Sequence, residues 1–182
     1  RELFYTGVND CNSMKKNYSL YLAGSIKLWE KEFKKRYSPL FKQRVKLFEP
    51  GEMNIPDDHR LITRRVAQKD RSEIAKSDAV LVYMKNYKSS RFGGPAGTDS
   101  SWECGYAYGI KKPVIAIVED LEHLAYFESQ WMLTFHMSAY ITDNKRVAEK
   151  IFKTAHFKGA AVIFCESKEL FEEKICEYLH KK

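Results

Sequence analysis

The sequence lacks any apolar run long enough to cross a membrane. Its longest apolar stretches, residues 79–84 and 114–118, are only six and five residues long, whereas a helix that spans a bilayer needs about 20. We therefore interpret them as buried strands and expect no membrane partner. The first ten residues also lack a basic segment followed by an apolar one, so no secretory signal is predicted.

Cysteine and histidine are few and scattered. The four cysteines, at positions 11, 104, 165 and 176, form no Cys-x-x-Cys pair and no dense framework. A reduced, cytoplasmic location is therefore the simpler expectation. The five histidines are equally dispersed. Without a His or Cys pair at ligand spacing we predict no metal site, and no cofactor is expected.

The sequence also has no uniformly basic segment, although its formal net charge is +7. Acidic and basic residues alternate on apparent helix faces, as in residues 31–36. This alternation is typical of a solvated surface and argues against a nucleic-acid partner. An anionic small substrate would also suit the charge.

Short apolar runs alternate with longer amphipathic segments, which predicts a mostly parallel sheet flanked by helices. With 182 residues, of which 44% are apolar, the chain can form one α/β domain with its own core. Residues 1–18 are expected to be an N-terminal extension. The predicted strands are residues 20–23, 45–48, 79–84, 114–118 and 161–165, and the predicted helices are residues 26–36, 59–76, 101–110, 144–154 and 168–180.

In a parallel sheet, ligands bind beyond the carboxyl ends of the strands. The loops expected there begin with Gly24 and Ser25, with residues 49–51 and with residues 85–98, so all three should face one cleft. Gly24 and Ser25 fit a tight turn that lets a substrate approach backbone amides.

The most informative segment is residues 97–117, in which a glycine-bearing loop precedes a predicted helix and a Lys-Pro step leads into a buried strand. Glu103 is expected in the first helical turn, at the positive end of the helix dipole. That position suits a carboxylate nucleophile, which must stay ionised. The alternative is a capping box, because Ser100 and Glu103 also have the Ser-x-x-Glu spacing.

Several short motifs occur in an order and spacing that resemble the nucleoside 2-deoxyribosyltransferase family and its relatives that hydrolyse nucleoside monophosphates. The resemblance covers residues 19–141. It implies a flavodoxin-like or Rossmann-like three-layer α/β sandwich with a mostly parallel sheet, to which residues 142–182 are a C-terminal addition. The motifs are YLAGSI at 21–26, Asp70 with Ile74, SDAVLVY at 77–83, WECGYA at 102–107 and KPV at 112–114.

The resemblance implies that Glu103 attacks the sugar C1 and forms a covalent glycosyl-enzyme, which a base or water then captures. Tyr21 matches a tyrosine whose hydroxyl holds the nucleophile, although an aromatic side chain packed in the core is an equal alternative. By analogy with retaining glycoside hydrolysis, a second acidic group should help the leaving group depart.

Asp70 and Asp78 compete for the role of that acid. Asp78 immediately precedes a predicted strand, so it should lie at the amino edge of the sheet, away from the cleft. Asp70 lies about two helical turns earlier, which returns it to the carboxyl edge at about 1.5 Å per residue. The resemblance also implies an active-site Asp at position 70. The alternative is that Asp70 is only a surface residue of its helix.

The sequence departs from the family pattern at one position. Members that act on nucleosides commonly have an Asp six residues before the nucleophile, where this chain has Gly97, and the nearest acid is Asp99. Asp99 and Ser100 could contact the base or sugar, or cap the helix. Gln130 matches a polar residue that often reaches the sugar site of a neighbouring subunit.

The function expected from this resemblance is cleavage or transfer at the N-glycosidic bond of a nucleoside or nucleoside 5′-monophosphate. Transfer and hydrolysis stay open. Ser89, Ser90 and Arg91 could hold a 5′-phosphate. The competing functions are a non-catalytic nucleotide sensor on the same fold and a TIR-type NAD glycohydrolase, whose sequence pattern is not visible.

An aromatic-rich stretch predicts a homo-oligomer. Its residues are more apolar than a short surface connection needs, and large exposed apolar patches usually mark interfaces. The alternative is that these side chains fold back on their own sheet. They are Tyr126, Phe127, Trp131, Phe135 and Tyr140.

Overall fold

A computed structural model describes residues 3–4, 16–24, 32–48, 59–84 and 98–182. Within these residues, seven strands form a single sheet in which every paired neighbour is parallel. The strands are β1 (Leu3–Phe4), β2 (Tyr18–Gly24), β3 (Val45–Phe48), β4 (Ala79–Tyr83), β5 (Val114–Ile117), β6 (Ala139–Thr142) and β7 (Ala161–Phe164).

Helices connect the strands and cover both faces of the sheet. They are α1 (Lys34–Arg36), α2 (His59–Lys76), α3 (Thr98–Gly109), α4 (Leu121–Ser129), α5 (Trp131–Phe135), α6 (Lys145–Lys153) and α7 (Phe171–His180). Short 3₁₀ turns occur at Ser38–Leu40, Ala155–Phe157 and Lys168–Leu170. In the part of the chain that is described, none of the helices combines the length and the apolar character that a bilayer crossing requires.

The strand order is β1-β7-β6-β5-β4-β2-β3. β3 therefore lies on one side of β2, whereas β4 and the strands after it lie on the other side, so the order of strands reverses between β2 and β4. Such a reversal opens a crevice at the carboxyl ends of the two strands, and this crevice is the usual ligand site of open α/β sheets. The crevice lies where Gly24, the last residue of β2, pairs with Tyr83, the last residue of β4.

Alternate residues of each strand contribute to cores on opposite faces of the sheet, as the two-residue period of a strand requires. One core packs Leu22 and Leu81 against α7 and the segment around α1. The other packs Tyr21 and Val82 against α2 to α6. Because both faces are covered, the central strands are continuously apolar. The predicted three-layer α/β sandwich is confirmed.

Two strands were missing from the predicted pattern. β6 has the sequence AYIT, an apolar run of only three residues followed by threonine. Leu3–Phe4 belongs to the predicted N-terminal extension, but it pairs with Val162 and Ile163 of β7 and so adds an edge strand. The predicted C-terminal helix over residues 168–180 begins as a 3₁₀ turn and becomes α-helical at Phe171.

The C-terminal helix is joined to the sheet through a buried carboxylate. Oε1 of Glu172 accepts hydrogen bonds from the backbone N–H groups of Gln43, Arg44 and Val45, at 3.1, 2.8 and 2.9 Å. These charge-assisted bonds satisfy a buried charge and three backbone donors together. The helix α7 is therefore an integral part of the same core as β3, although the division of the chain into core, extension and addition stays a prediction.

Gly24 allows the closest approach between β2 and β4. A Cβ atom at this position would lie 2.5 Å from the backbone oxygen of Tyr83. A contact this short cannot be relieved by turning a side chain, because the obstructing atom belongs to the backbone. The structure thus supplies a packing reason for glycine here, in addition to the predicted approach of a substrate.

We predict that Gly24→Ala lowers the free energy of unfolding by about 1–3 kcal/mol, because the strands at the crevice must separate. Urea denaturation of the purified protein measures the change. Gly109→Ala is the matched control, since a Cβ there would have no heavy atom within 4 Å and alanine favours a helix. Equal stability of the Gly24→Ala variant and the wild-type protein would contradict this packing argument.

Candidate active site

Helix α3 carries a buried carboxylate that faces the sheet. Glu103 is only 7% exposed, and its Oε1 accepts a 2.6 Å hydrogen bond from the hydroxyl of Tyr21, a fully buried residue in the middle of β2. A hydrogen bond to an ionised group is short and strong. This hydrogen bond joins two residues that are 82 positions apart in the sequence, and it connects the sheet to the helix that packs on it.

Asp70 of α2 acts on the same hydroxyl. The pKa of Tyr21 is raised far above its usual value, first by burial, then by the charge of Glu103 and the hydrogen bond to it, and then by the charge of Asp70 and side-chain hydrogen bonding with it. The phenol therefore stays protonated throughout the physiological pH range. It is a donor placed between two carboxyl groups.

Asp78 lies at the opposite edge of the sheet. Its Oδ2 accepts hydrogen bonds from the backbone N–H and the hydroxyl of Ser19, at 2.8 and 3.0 Å, and its Oδ1 is 3.8 Å from Nζ of Lys16. Ser19 stands near the start of β2 and Tyr21 further along it. The structure therefore brings Asp70 together with Tyr21 and Glu103, and it uses Asp78 to tie β2 to the start of β4.

Two sequence-based expectations about α3 need correction. The helix begins at Thr98, three residues before the predicted start, so Glu103 lies in the second turn and not in the first. The dipole stabilises charge mainly within the first turn, so its effect on Glu103 is weaker than expected. Ser100 lies inside the helix and is buried, so it cannot be the residue before the helix that a capping box requires.

The start of α3 was predicted wrongly because the sequence offers several possible first residues for the helix. Thr98, Asp99 and Ser100 are all residues that favour the beginning of a helix, and the pattern alone did not choose among them. Helix ends are the least certain part of any assignment. The hydrogen bond from Tyr21 gives Glu103 a partner that no local motif could reveal.

The other predicted site residues are distributed over several parts of the chain. Gly24 ends β2 beside the crevice, and Ser100 is buried in α3. Asp99 is part of α3, but its side chain is outside the described structure, as are Ser25 and Gly97 and the proposed phosphate-binding residues Ser89, Ser90 and Arg91. Gln130 joins α4 to α5, and its described contacts are local, with Ser129 and Thr134.

Another carboxylate, which the sequence analysis missed, lies at the carboxyl edge on the other face of the sheet, and its side chain is 8% exposed. Oε1 of Glu119 accepts hydrogen bonds from the hydroxyls of Tyr37 and Tyr83, at 2.6 and 3.2 Å, and from a guanidinium N–H of Arg36 at 3.3 Å. Burial and the neighbouring Glu119 raise the pKa of both tyrosines far above the usual range. Because Glu119 follows β5 by two residues, the carboxyl-edge rule applied to Gly24 could have identified it.

The aromatic-rich stretch divides into buried and exposed parts. Tyr126, Phe127 and Tyr140 are buried against their own sheet, so the expectation that the whole stretch is a surface patch is wrong for these three. Phe135 is 68% exposed, and its neighbour Met132 is 74% exposed. The Phe135 ring lies 5.5 Å from that of Tyr108 on α3, so an apolar surface extends from α5 to α3. The side chain of Trp131 is outside the described structure.

The chemistry available at the site is that of a carboxyl pair with a fixed donor. Two carboxyl groups that share a neighbourhood tend to divide into one ionised and one protonated group, because like charges disfavour double ionisation. Such a division provides a nucleophile or base together with an acid.

Among the described residues, no group of three or more His, Cys, Asp or Glu side chains is arranged to hold a metal ion.

A family model described as nucleoside 2-deoxyribosyltransferase matches residues 20–168. The match continues past residue 141, where the motif resemblance ended, and includes β7. No curated protein matches the sequence significantly.

Among solved structures, the chain is similar to the crystal structure of a conserved protein from Enterococcus faecalis V583. The sequence identity is 16%, the match covers 89% of this chain and 99% of that one, and the TM-score is 0.47. The fold assignment therefore rests on the strand order and layering of the chain itself.

Proposed function

The chain belongs to the nucleoside 2-deoxyribosyltransferase family, and from this membership we propose that it cleaves or transfers the N-glycosidic bond of nucleosides or nucleoside 5′-monophosphates. The observation that carries the proposal is the Tyr21–Glu103 hydrogen bond beside Asp70. It gives a buried carboxylate a defined orientation at the crevice where α/β sheets bind ligands.

In the proposed first step, a carboxylate oxygen of Glu103 attacks C1′ of the sugar. The new C1′–O bond forms as the C1′–N bond breaks, and the base leaves with the bonding electron pair. Asp70, in its protonated form, donates a proton to a nitrogen of the departing base. The product is a glycosyl ester on Glu103.

In the second step, water or the nitrogen of an acceptor base attacks C1′ and displaces Glu103 as a carboxylate. The proton lost by the incoming nucleophile returns to Asp70. Water gives hydrolysis and a base gives transfer, so the outcome depends on how well the closed site excludes water. The role proposed for Tyr21 is to donate its hydrogen bond to Glu103 in both steps, which keeps the carboxylate ionised and oriented.

We predict that Glu103→Gln lowers glycosidic cleavage by about 10³-fold or more, because the amide retains the shape and the acceptor for Tyr21 but is not a nucleophile. The assay incubates the protein with deoxynucleosides, deoxynucleotides and NAD and follows the released base by chromatography. Adding a second free base shows whether transfer occurs. Release from NAD alone would indicate the glycohydrolase function, and binding without release would indicate a sensor.

Circular dichroism and thermal unfolding of the Glu103→Gln variant serve as the folding control. A mass increase on Glu103 after exposure to a 2-fluoro sugar analogue would support the covalent intermediate directly. Near-normal turnover by a folded Glu103→Gln variant would show that another group is the nucleophile.

We predict that Asp70→Asn lowers turnover by about 10²-fold or more, the size of effect expected for a general acid, whereas Asp78→Asn lowers it less than about threefold. Both changes replace a carboxylate with an amide of the same shape, but only Asp70 shares the Tyr21 hydroxyl with Glu103. Initial rates at saturating substrate provide the comparison. If the Asp78 variant loses turnover as strongly as the Asp70 variant, proximity to Glu103 does not determine the role.

We predict that the protein is a homo-oligomer in solution and that Phe135→Glu weakens the association. The exposed side chains of Met132, Phe135 and Tyr108 form an apolar surface of the kind that usually marks an interface. Light scattering at micromolar concentration measures the mass of the particle. Leu121→Glu is the control, since Leu121 is also exposed but lies on α4. A monomeric mass for the wild-type protein with full activity would contradict the prediction.

A further inference from the structure

Three side chains next to the proposed catalytic pair form a cluster that links the two helices. Arg71 follows Asp70 on α2, and Trp102 precedes Glu103 on α3. The guanidinium carbon of Arg71 lies 5.7 Å from the ring centre of Trp102 and 5.5 Å from that of Tyr106. The two rings are nearly parallel, with an interplanar angle of 8° and centroids 5.6 Å apart.

This cluster attracts α2 to α3. A guanidinium over an aromatic face is held by the negative potential of the ring. Arg71 makes two of these contacts, and both rings belong to α3. Since Trp102 and Tyr106 are one helical turn apart, the contact fixes the position of α2 along α3 as well as its distance.

The attraction acts beside two groups that repel each other when both are ionised. Asp70 and Glu103 both act on the Tyr21 hydroxyl, so their separation depends on how α2 and α3 pack. We propose that Arg71, Trp102 and Tyr106 form a clamp that holds Asp70 close to Glu103, so that Asp70 keeps a proton while Glu103 is ionised. The three are positioning residues, and this inference rests on the proposed function.

The charged and titratable groups around Asp70 determine the sign of the expected effect. Asp70 and Glu103 both act on the hydroxyl of Tyr21 on β2, and the buried thiol of Cys104 follows Glu103 on α3. On α2 itself, Arg71 is the next residue after Asp70, and Glu73 lies three residues after it. Moving Asp70 away from Glu103 reduces their repulsion, so Asp70 loses its proton at lower pH. Removing the positive charge of Arg71 by itself has the opposite effect, because a nearby cation favours the ionised carboxylate.

The informative variants therefore keep Arg71 and change its aromatic partners. In Tyr106→Leu and Trp102→Leu we expect kcat to fall about tenfold to a hundredfold, as for a small misplacement of a catalytic group. KM should change less than about twofold, because the substrate contacts remain. The basic limb of the pH–rate profile, where Asp70 loses its proton, should move down by roughly 0.5–1 pH unit.

A double variant and a charge control separate the clamp from other causes. Trp102→Leu combined with Tyr106→Leu should have less effect than the sum of the two single changes, because the two stacked rings hold the same guanidinium and changes at residues in contact are not additive. Lys69→Ala removes a partly exposed cation from the same helix, where Nζ of Lys69 lies 3.9 Å from Oε1 of Glu73, and it should leave the profile unchanged. A lower melting temperature with an unchanged pH profile and kcat would reduce the cluster to a stabilising role and overturn the proposal.

The inference can be tested without turnover. In protein labelled with ¹³C at side-chain carboxyl carbons, NMR follows the titration of Asp70 directly, with Asp70→Asn identifying its signal. The titration midpoint should move to lower pH in Tyr106→Leu, and an unchanged or higher midpoint would refute the clamp. If the wild-type protein releases no base from any substrate while this shift is still observed, the proposed function fails and the clamp stands.

Discussion

The hydrogen bond from Tyr21 to Glu103 is the interaction on which the rest of the site depends. A buried carboxylate is costly unless donors replace its lost water. Tyr21 provides that donor from the middle of β2, and its hydroxyl can reach α3 only if β2 lies beside β4 under the helix. The reversal of strand order between β2 and β4, together with the close approach of Gly24 to Tyr83, produces this arrangement.

Much of the fold could be predicted because its causes are local in sequence. Strands buried on both faces are continuous apolar runs, and the predicted bounds of β3 and α2 are those observed, residues 45–48 and 59–76. β6, with the sequence AYIT, could not be predicted in the same way. Its Tyr140 carries a polar hydroxyl, and it belongs to the core because its ring packs against Phe127 of α4 and Phe157 of a 3₁₀ turn. β1 is defined by its pairing with β7, nearly 160 residues away, and no local pattern of two residues contains that information.

The site was predictable to a smaller extent. Family motifs led to Tyr21, Asp70 and Glu103, but the periodicity of the sequence does not show that one hydroxyl serves both carboxyl groups. The burial of Phe127 and the exposure of Phe135, eight residues apart, likewise depend on where α4 ends and α5 turns away from the sheet. Glu119 follows a strand that ends without a glycine, so the pattern of glycine-bearing loops does not indicate it.

The two carboxylates at the carboxyl edge show why burial and hydrogen bonding alone do not define a nucleophile. Glu103 is buried and the side chain of Glu119 is 8% exposed, and each accepts a 2.6 Å hydrogen bond from a tyrosine. Glu119 also accepts from the guanidinium of Arg36, which forms an ion pair with it at 3.3 Å. A cation so close stabilises the negative charge and makes the oxygen a poorer nucleophile. The phenol of Tyr21 is neutral, so it orients Glu103 without cancelling its charge, and Asp70 acts on the same hydroxyl. That electrostatic difference favours Glu103 for chemistry and Glu119 for holding the segment around α1 against the sheet.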